Sequence, residues 1–276
     1  MPYTVGSVPF LNARPLVAWF EDFEGDSPVQ VLYDLPSNLP SVLESGAADA
    51  VLVSSIDALT TPGRSAAEGV CIGTRGAAES VRLFSKKPFE RIERVSLDAS
   101  SMTSNALAQI VLAERFGIRP EAIARRPDLD EMLTDADAAL LIGDKGLLAD
   151  GAGLRVLDLG EEWAALTGLP FVWALWIGEA KSRRLTPELS GYLRAALDWA
   201  ETRLDRIADD YARTSDISSQ MCRAYLGSTM NYTLEDRDLT GLREFGSLVR
   251  KHGFGEASYF PELVPAAGLT PIGHSM

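Results

Sequence analysis

Short apolar runs alternate with amphipathic segments along the first half of the chain. The apolar runs are typical of buried strands and comprise YTVGSV, ADAVLVSS, SVRLFSK, RVSLDASS and ADAALLIGD. Between them, LPSNLPSVLESG predicts a turn and a helix that Gly46 ends, and residues 101–116 predict a helix closed by Gly117. This alternation predicts an α/β protein whose largely parallel sheet is covered by helices.

The pattern becomes helical after the apolar run FVWALWIG. From Thr186 to about Ala212, apolar residues recur on one stripe with charges opposite, which predicts one long helix. A second helix is expected from about Leu234 to Lys251, opened by a loose capping box between Thr233 and Asp236. We expect both helices to cover the sheet that the N-terminal strands build.

This change of pattern predicts two lobes with a hinge of two crossing strands. The first lobe is discontinuous and takes residues 1–85 plus 172–276, and residues 86–171 are inserted as the second. The strands VRLFS and FVWAL are expected to cross between the lobes. Because a cleft between lobes is a common ligand site, the candidate residues are those at strand ends that face it.

The composition narrows the classes of partner. A net charge of −13, from 26 Lys and Arg against 39 Asp and Glu, argues against nucleic-acid binding. No apolar run approaches the roughly 20 residues that span a bilayer. No signal-peptide pattern is visible, and the two cysteines, Cys71 and Cys222, form no CxxC pair. We therefore expect a cytoplasmic protein without a membrane partner.

Several motifs are absent from the sequence. It contains no GxGxxG, GxxxxGK[ST], HExxH or GxSxG pattern. The two histidines, His252 and His274, both lie near the C-terminus. We therefore expect no metal, no cofactor and no Ser-His-Asp triad.

The first loop, in VGSVPFLNARPL, carries an amide and a guanidinium directly after the first strand. Asn12 and Arg14 are candidates to bind a small anion there. Arg14 and Arg82 are each able to pair with a carboxylate through two hydrogen bonds. The alternative for both arginines is a solvated or structural role.

The stretch DASSMTSNAL places hydroxyl residues where a strand ends and a helix begins. Ser101, Thr103 and Ser104 would join the first backbone N–H groups of that helix in binding a carboxylate or phosphate. The alternative is N-capping by Ser100 or Ser101, which is compatible with anion binding.

Five more candidates lie at strand ends, and each has a structural alternative. Ser54 and Ser55 end an apolar strand, where either one contacts a ligand or caps the following helix. Ser80 precedes the first crossing strand. Its hydroxyl either contacts a ligand or lies at the strand edge without a functional role. Gly143 would let the backbone approach a ligand and Asp144 would orient a hydroxyl, unless the pair only forms a turn.

The motifs SVPFLNARPL, VLVSSI, SVRLFSKKP, LDASSMTS, AALLIGDKGL, DLGEEWAALTGLPFVWALW and MNYTL occur in this order over nearly the whole chain. In this combination the chain resembles the chorismate dehydratase family of the futalosine route to menaquinone. The resemblance implies a fold like the type II periplasmic binding proteins and a cytosolic, cofactor-free hydro-lyase. It also implies conversion of chorismate to 3-[(1-carboxyvinyl)oxy]benzoate, in which the C4 hydroxyl and the C3 proton leave and the ring becomes aromatic.

The resemblance also implies roles for individual residues. Asn12 matches the family's Leu-Asn motif and Ser80 matches the serine before its first crossing strand, which makes both candidates for catalytic contacts. Thr103 and Ser104 match its anion-binding turn. Met102 departs from the family, which often has a basic residue there. With no histidine in the cleft, our hypothesis gives the C3 proton to the substrate's own enolpyruvyl carboxylate or to water.

Three other functions stay open. The sister enzyme 1,4-dihydroxy-6-naphthoate synthase shares the fold, but its family carries an IHE-like base histidine near the position of Gly143. A non-catalytic protein that binds a small anion would have the same fold. A ligand-sensing part of a transcription regulator would need a helix-turn-helix segment and a basic patch, neither of which is visible.

Overall fold

Residues 2–257 and 259–269, which the computed structural model describes, form two sheets from twelve strands. In chain order the strands are β1 Tyr3–Ser7, β2 Val29–Tyr33, β3 Ala50–Ser54, β4 Arg64–Thr74, β5 Arg82–Ser85, β6 Arg94–Asp98, β7 Glu121–Arg125, β8 Ala138–Leu141, β9 Arg155–Asp158, β10 Phe171–Glu179, β11 Met230–Asn231 and β12 Glu262–Val264.

Both sheets are built on the same strand order. The first runs β2-β1-β3-β10-β4, with β11 and β12 added along β4, and the second runs β7-β6-β8-β5-β9. The strands β10 and β5 each run antiparallel to both neighbours. Each is the first strand that the chain forms after it leaves the other sheet. The remaining central pairs, β1 with β2 and β3 and β6 with β7 and β8, are parallel as predicted.

Eleven α-helices accompany these strands in the described part of the chain. They are α1 Ala18–Glu21, α2 Leu39–Glu44, α3 Ser55–Thr60, α4 Met102–Phe116, α5 Leu129–Thr134, α6 Gly143–Leu148, α7 Leu159–Thr167, α8 Pro187–Glu201, α9 Leu204–Ala212, α10 Ser219–Ala224 and α11 Asp236–Lys251. Leu11–Leu16 and Phe89–Arg91 form 3₁₀ turns, and Tyr225–Thr229 form a π turn. As predicted, α8 and α11 pack on the first sheet. Within the described residues, none of these helices has the length and hydropathy to cross a bilayer.

The helix predicted from Thr186 to Ala212 is in fact two helices. The chain breaks between α8 and α9, where the Arg203 guanidinium donates to the Trp199 carbonyl oxygen at 3.0 Å and to the Thr202 hydroxyl at 2.7 Å. The first of these bonds satisfies a carbonyl oxygen that a continuous helix would pair internally. The capping box predicted at Thr233 and Asp236 was also misplaced, because the reciprocal bonds join Glu235 and Asp238 instead.

The predicted lobe boundary at residue 85 falls after a strand that belongs to the second sheet. Residues 82–85 pair with β8 and β9 in the second sheet, so the chain crosses between the sheets at residues 75–81, before that strand. The return crossing runs through α7 and residues 168–170 to β10. The division into two lobes itself stays a prediction. Residues 270–276, with His274, belong to the predicted first lobe but lie outside the described residues.

Buried aromatic rings join the return crossing to the first sheet. The Trp163 ring of α7 lies 5.1 Å from that of Phe171 in β10, and 6.1 Å from that of Phe245 in α11, centroid to centroid. Both contacts are edge-to-face, the arrangement that aromatic quadrupoles favour. The Trp163 indole also donates to the Pro170 carbonyl oxygen at 3.0 Å. The start of β10 is therefore anchored to α7, which places the strand that lines the cleft.

Candidate active site

A cavity lies at the carboxyl ends of strands from both sheets. It encloses about 860 Å³ of empty space, counting the part open to solvent. Seven predicted residues line it, namely Asn12, Ser54, Ser80, Ser101, Thr103, Ser104 and Gly143. The strand ends that the sequence indicated therefore meet in one place.

The start of α4 forms part of the cavity wall. Ser101 is the N-cap residue, and its hydroxyl accepts the backbone N–H of Ser104 at 3.3 Å, which is the capping alternative. The Ser104 side chain lines the cavity with 4% of its surface exposed, and its hydroxyl makes no hydrogen bond to the described residues. Because α4 is 15 residues long, its macrodipole adds a partial positive charge at this point. This wall is suited to a carboxylate.

Thr103 links the two sides of the cavity. Its hydroxyl oxygen accepts the backbone N–H of Ile56, in the first turn of α3, at 3.0 Å. Since a hydroxyl that accepts one hydrogen bond still has its own hydrogen to donate, Thr103 remains a possible donor to a ligand. Its bond to α3 shows a structural role that the sequence did not indicate.

Asn12 is held on the 3₁₀ turn that follows β1. The buried side chains of Leu11 and Leu16 anchor this turn in the core. The Asn12 Oδ1 atom is buried and has no hydrogen-bond partner among the described residues. A buried polar atom without a partner costs free energy, so its persistence beside a cavity is typical of a group that a ligand pairs.

Ser80 forms a hydrogen-bonded pair with a residue that the sequence did not indicate. Its hydroxyl lies 2.8 Å from the Tyr225 hydroxyl, and both side chains line the cavity. Burial raises the pKa of Tyr225 far above its ordinary value, so the phenol stays protonated. The two residues are 145 positions apart in the sequence, and no local sequence pattern around Tyr225 predicts the contact.

The structure corrects the interpretation of both candidate arginines. The Arg14 guanidinium pairs with the Glu21 carboxylate and donates to the Tyr33 hydroxyl at 2.8 Å. Arg82 donates to carbonyl oxygens at the end of α6, from Nε to Gly146 at 2.8 Å and from a terminal nitrogen to Ala149 at 2.9 Å. Neither side chain lines the cavity. Both take the structural alternative, and Arg82 satisfies carbonyls that a helix end leaves unpaired.

Ser55 and Asp144 are corrected in the same way. The Ser55 hydroxyl is buried and donates to the Val172 carbonyl oxygen at 2.5 Å. The Asp144 carboxylate accepts from the Tyr211 hydroxyl and, at 3.4 Å, from the backbone N–H of Leu11. Asp144 therefore binds α6 to the turn that carries Asn12, and its carboxylate is already used by the protein.

The environment of Asp144 makes stability depend on pH. Burial is the main cause that raises the pKa of this carboxyl above its ordinary value of about 3.9. A raised pKa in the folded state stabilises the fold at low pH, and that contribution is lost as the pH rises through the folded pKa. Replacing Asp144 with asparagine removes this loss. We therefore expect the free energy of unfolding of the variant, relative to the wild type, to be higher at about pH 6.5 than at about pH 4, as measured by urea unfolding. The same difference in free energy of unfolding at both pH values would contradict a raised pKa for Asp144.

The rest of the cavity wall is mostly apolar or aromatic, and Ser37, Thr74 and Ser100 add hydroxyl side chains to it. Trp173 lines it, and its indole donates to the Thr74 hydroxyl at 3.2 Å, which holds the ring in place. Phe10, Ile72 and Met230 are among the other apolar residues that line it. No Lys, Arg, His, Asp or Glu among the described residues lines the cavity. An anion bound here would thus be held by hydroxyls, amides and helix N-termini.

Comparison with known proteins places this arrangement in context. The sequence model of a protein family described as menaquinone biosynthesis matches residues 3–251 of this chain. The chorismate dehydratase of Thermus thermophilus is 32% identical in an alignment of 264 positions that covers 88% of this chain and 94% of that protein.

The solved structures share the fold. A protein from Archaeoglobus fulgidus superposes with a TM-score of 0.70 at 16% identity, covering 92% of this chain and 98% of its own. The periplasmic aliphatic sulphonate binding protein of Escherichia coli superposes with a TM-score of 0.64 at 11% identity, covering 100% and 97%. These likenesses confirm the predicted periplasmic-binding-protein-like α/β fold. The match over residues 3–251 and the Thermus relative together show that the chain belongs to the menaquinone biosynthesis family.

Proposed function

We propose that this chain is a hydro-lyase that converts chorismate to 3-[(1-carboxyvinyl)oxy]benzoate and water in menaquinone biosynthesis. The observation that carries the proposal is the meeting of Asn12, Ser80 and the start of α4 around one cavity. The Thermus chorismate dehydratase, which aligns over most of both chains, supports it.

The cavity fits the chemistry of this substrate. Chorismate carries two carboxylates on a compact ring and side arm. The N–H groups at the start of α4 and the free Ser104 hydroxyl are donors for one carboxylate. The Trp173 wall offers an apolar surface for the ring, which becomes aromatic as the reaction proceeds.

The two predicted catalytic residues have distinct tasks in this proposal. The Ser80 hydroxyl donates to the C4 oxygen as it leaves, and the NH2 group of the Asn12 side chain donates to the carboxylate of the side arm and fixes it. The C3–H bond breaks and its electron pair forms the new ring double bond, while the C4–O bond breaks and releases hydroxide, which leaves as water once the proton lost from C3 has been passed on to it. The proton goes to the enolpyruvyl carboxylate or to water, because the described cavity wall offers no carboxylate or imidazole.

We further propose that the reaction needs neither metal nor cofactor. The elimination is redox-neutral, and aromatisation supplies its driving force, so positioning and hydrogen bonding are the tasks left to the protein. We also propose a cytoplasmic location, which the two free, buried thiols of Cys71 and Cys222 support.

The experiment is to mix purified, chelator-treated protein with chorismate and to follow the product by mass. A product lighter by one water, formed faster than in a protein-free control, is the expected result. Thermal stabilisation by chorismate without turnover would make the chain a binding protein instead. The absence of both turnover and stabilisation would overturn the proposal and direct the search to the sister naphthoate reaction.

A further inference from the structure

We propose that Tyr225 is a positioning residue that fixes the direction of the Ser80 hydroxyl. This inference rests on the proposed dehydratase activity, in which that hydroxyl assists the leaving group. Tyr225 lies outside every motif that the sequence indicated, and the contact arises only in the folded chain.

The two hydroxyls form a closed pair at the cavity wall. Ser80 is 4% exposed and Tyr225 is 2% exposed, yet both contribute to the lining. Their oxygens are 2.8 Å apart, and neither hydroxyl has another hydrogen-bond partner among the described residues. A pair of hydroxyls shares one hydrogen between its oxygens, so one O–H remains to donate elsewhere.

The phenol is suited to be the donor within this pair. Because Tyr225 is buried and stays protonated, its O–H is always present to donate to Ser80 Oγ. That leaves the Ser80 hydrogen free to point at a ligand. An oxygen that accepts a hydrogen bond also becomes a better donor through its own hydrogen, since hydrogen bonds in a chain polarise one another.

The backbone on both sides of the pair is held in uncommon conformations. Tyr225 begins the π turn of residues 225–229, a helical variant that is frequent at functional sites. Glu79, directly before Ser80, has a φ of 57°, in the left-handed region that few non-glycine residues adopt.

The Asp158 carboxylate keeps that segment in place. It accepts the backbone N–H of Ala78 at 2.8 Å and that of Glu79 at 2.6 Å. A strained backbone persists where the surrounding structure determines it, and such places cluster at active sites. The fold thus fixes the Ser80 backbone through Asp158 and its hydroxyl through Tyr225.

The test replaces Tyr225 with phenylalanine, which keeps the ring and removes the hydroxyl. Tyr232→Phe is the matched control, because the Tyr232 hydroxyl is buried, has no hydrogen-bond partner among the described residues and belongs to a side chain that does not line the cavity. We expect Tyr225→Phe to lower kcat for chorismate about tenfold, with KM changed less than about twofold, as for one lost hydrogen bond in the transition state. The control should match the wild type.

A double variant distinguishes positioning from a separate role. If Tyr225 acts through Ser80, Tyr225→Phe has no further effect on kcat once Ser80 is alanine. An equal loss in both backgrounds would overturn the inference, as would an unchanged kcat or a change in KM alone. Thermal unfolding of both phenylalanine variants checks that they fold, and retained stabilisation by chorismate shows an intact site.

The wild type separates this inference from the proposed function. A wild-type protein that does not dehydrate chorismate would overturn the function, and the inference with it. An active wild type together with an equally active Tyr225→Phe variant would overturn only the inference about Tyr225.

Discussion

Replacing Asn12 with alanine is expected to lower kcat/KM for chorismate by about 100-fold, the usual loss when one preorganised hydrogen-bonding group is removed from a reacting centre. The fold should persist, because the Asn12 Oδ1 atom has no partner among the described residues that the substitution could orphan. Steady-state kinetics with chorismate measure the effect, and thermal unfolding measures the fold.

Asn38→Ala provides the matched comparison for this variant. Asn38 is exposed, its amide donates to the Asp34 carboxylate at 2.8 Å, and its side chain is not among those that line the cavity. Its loss should leave turnover at the wild-type rate. If the Asn12 variant were as active as the Asn38 variant, Asn12 would have no part in the reaction.

Replacing Gly146 with alanine is expected to destabilise the protein by about 3 kcal/mol, the upper part of the range for overpacking. A Cβ atom at this position of α6 would lie 2.1 Å from the Ser80 carbonyl oxygen and 2.9 Å from that of Leu141. Both neighbours are backbone atoms, so relief requires α6 to move away from Ser80. Helix propensity alone would predict the opposite sign, a gain of about 1 kcal/mol.

Gly76→Ala is the control, because no described atom lies within 4 Å of its added Cβ. Its unfolding free energy should stay within about 0.5 kcal/mol of the wild type, as for most surface changes. Chemical denaturation compares the two variants. Equal stability of both would show that α6 is free to shift from Ser80, which would also weaken the case that the Ser80 geometry is fixed.

The parts of the fold that were predictable follow from local rules. Apolar runs and helix-ending glycines indicate where strands and helices lie, and Gly117 does adopt the left-handed conformation, with a φ of 68°, that ends α4. The location of the site was predictable because parallel strands present their carboxyl ends at one edge of a sheet. Ser54 ends such a strand, Ser104 and Gly143 come after such strands, and all three line the same cavity.

The arginines show why other assignments failed. A guanidinium suits a ligand carboxylate and the carbonyl oxygens of a helix end equally well, so residue type does not decide between them. Arg82 faces the end of α6 only because β5 joins the second sheet, which depends on pairing with β8 and β9. Tyr225 was missed for the same reason, since its partner Ser80 comes from a distant part of the chain. Long-range pairing carries this information.

The uncharged wall of the cavity has a consequence for how a ligand arrives. The chain has a net charge of −13, so its long-range field repels an anion, and no cationic side chain among the described residues lines the cavity to counter it. The attraction of helix N-termini acts only within the first turn. Encounter is then limited by repulsion that dissolved salt screens beyond about 10 Å at 0.1 M ionic strength. The association rate constant of an anionic ligand should therefore rise, rather than fall, as the ionic strength increases to about 0.1 M.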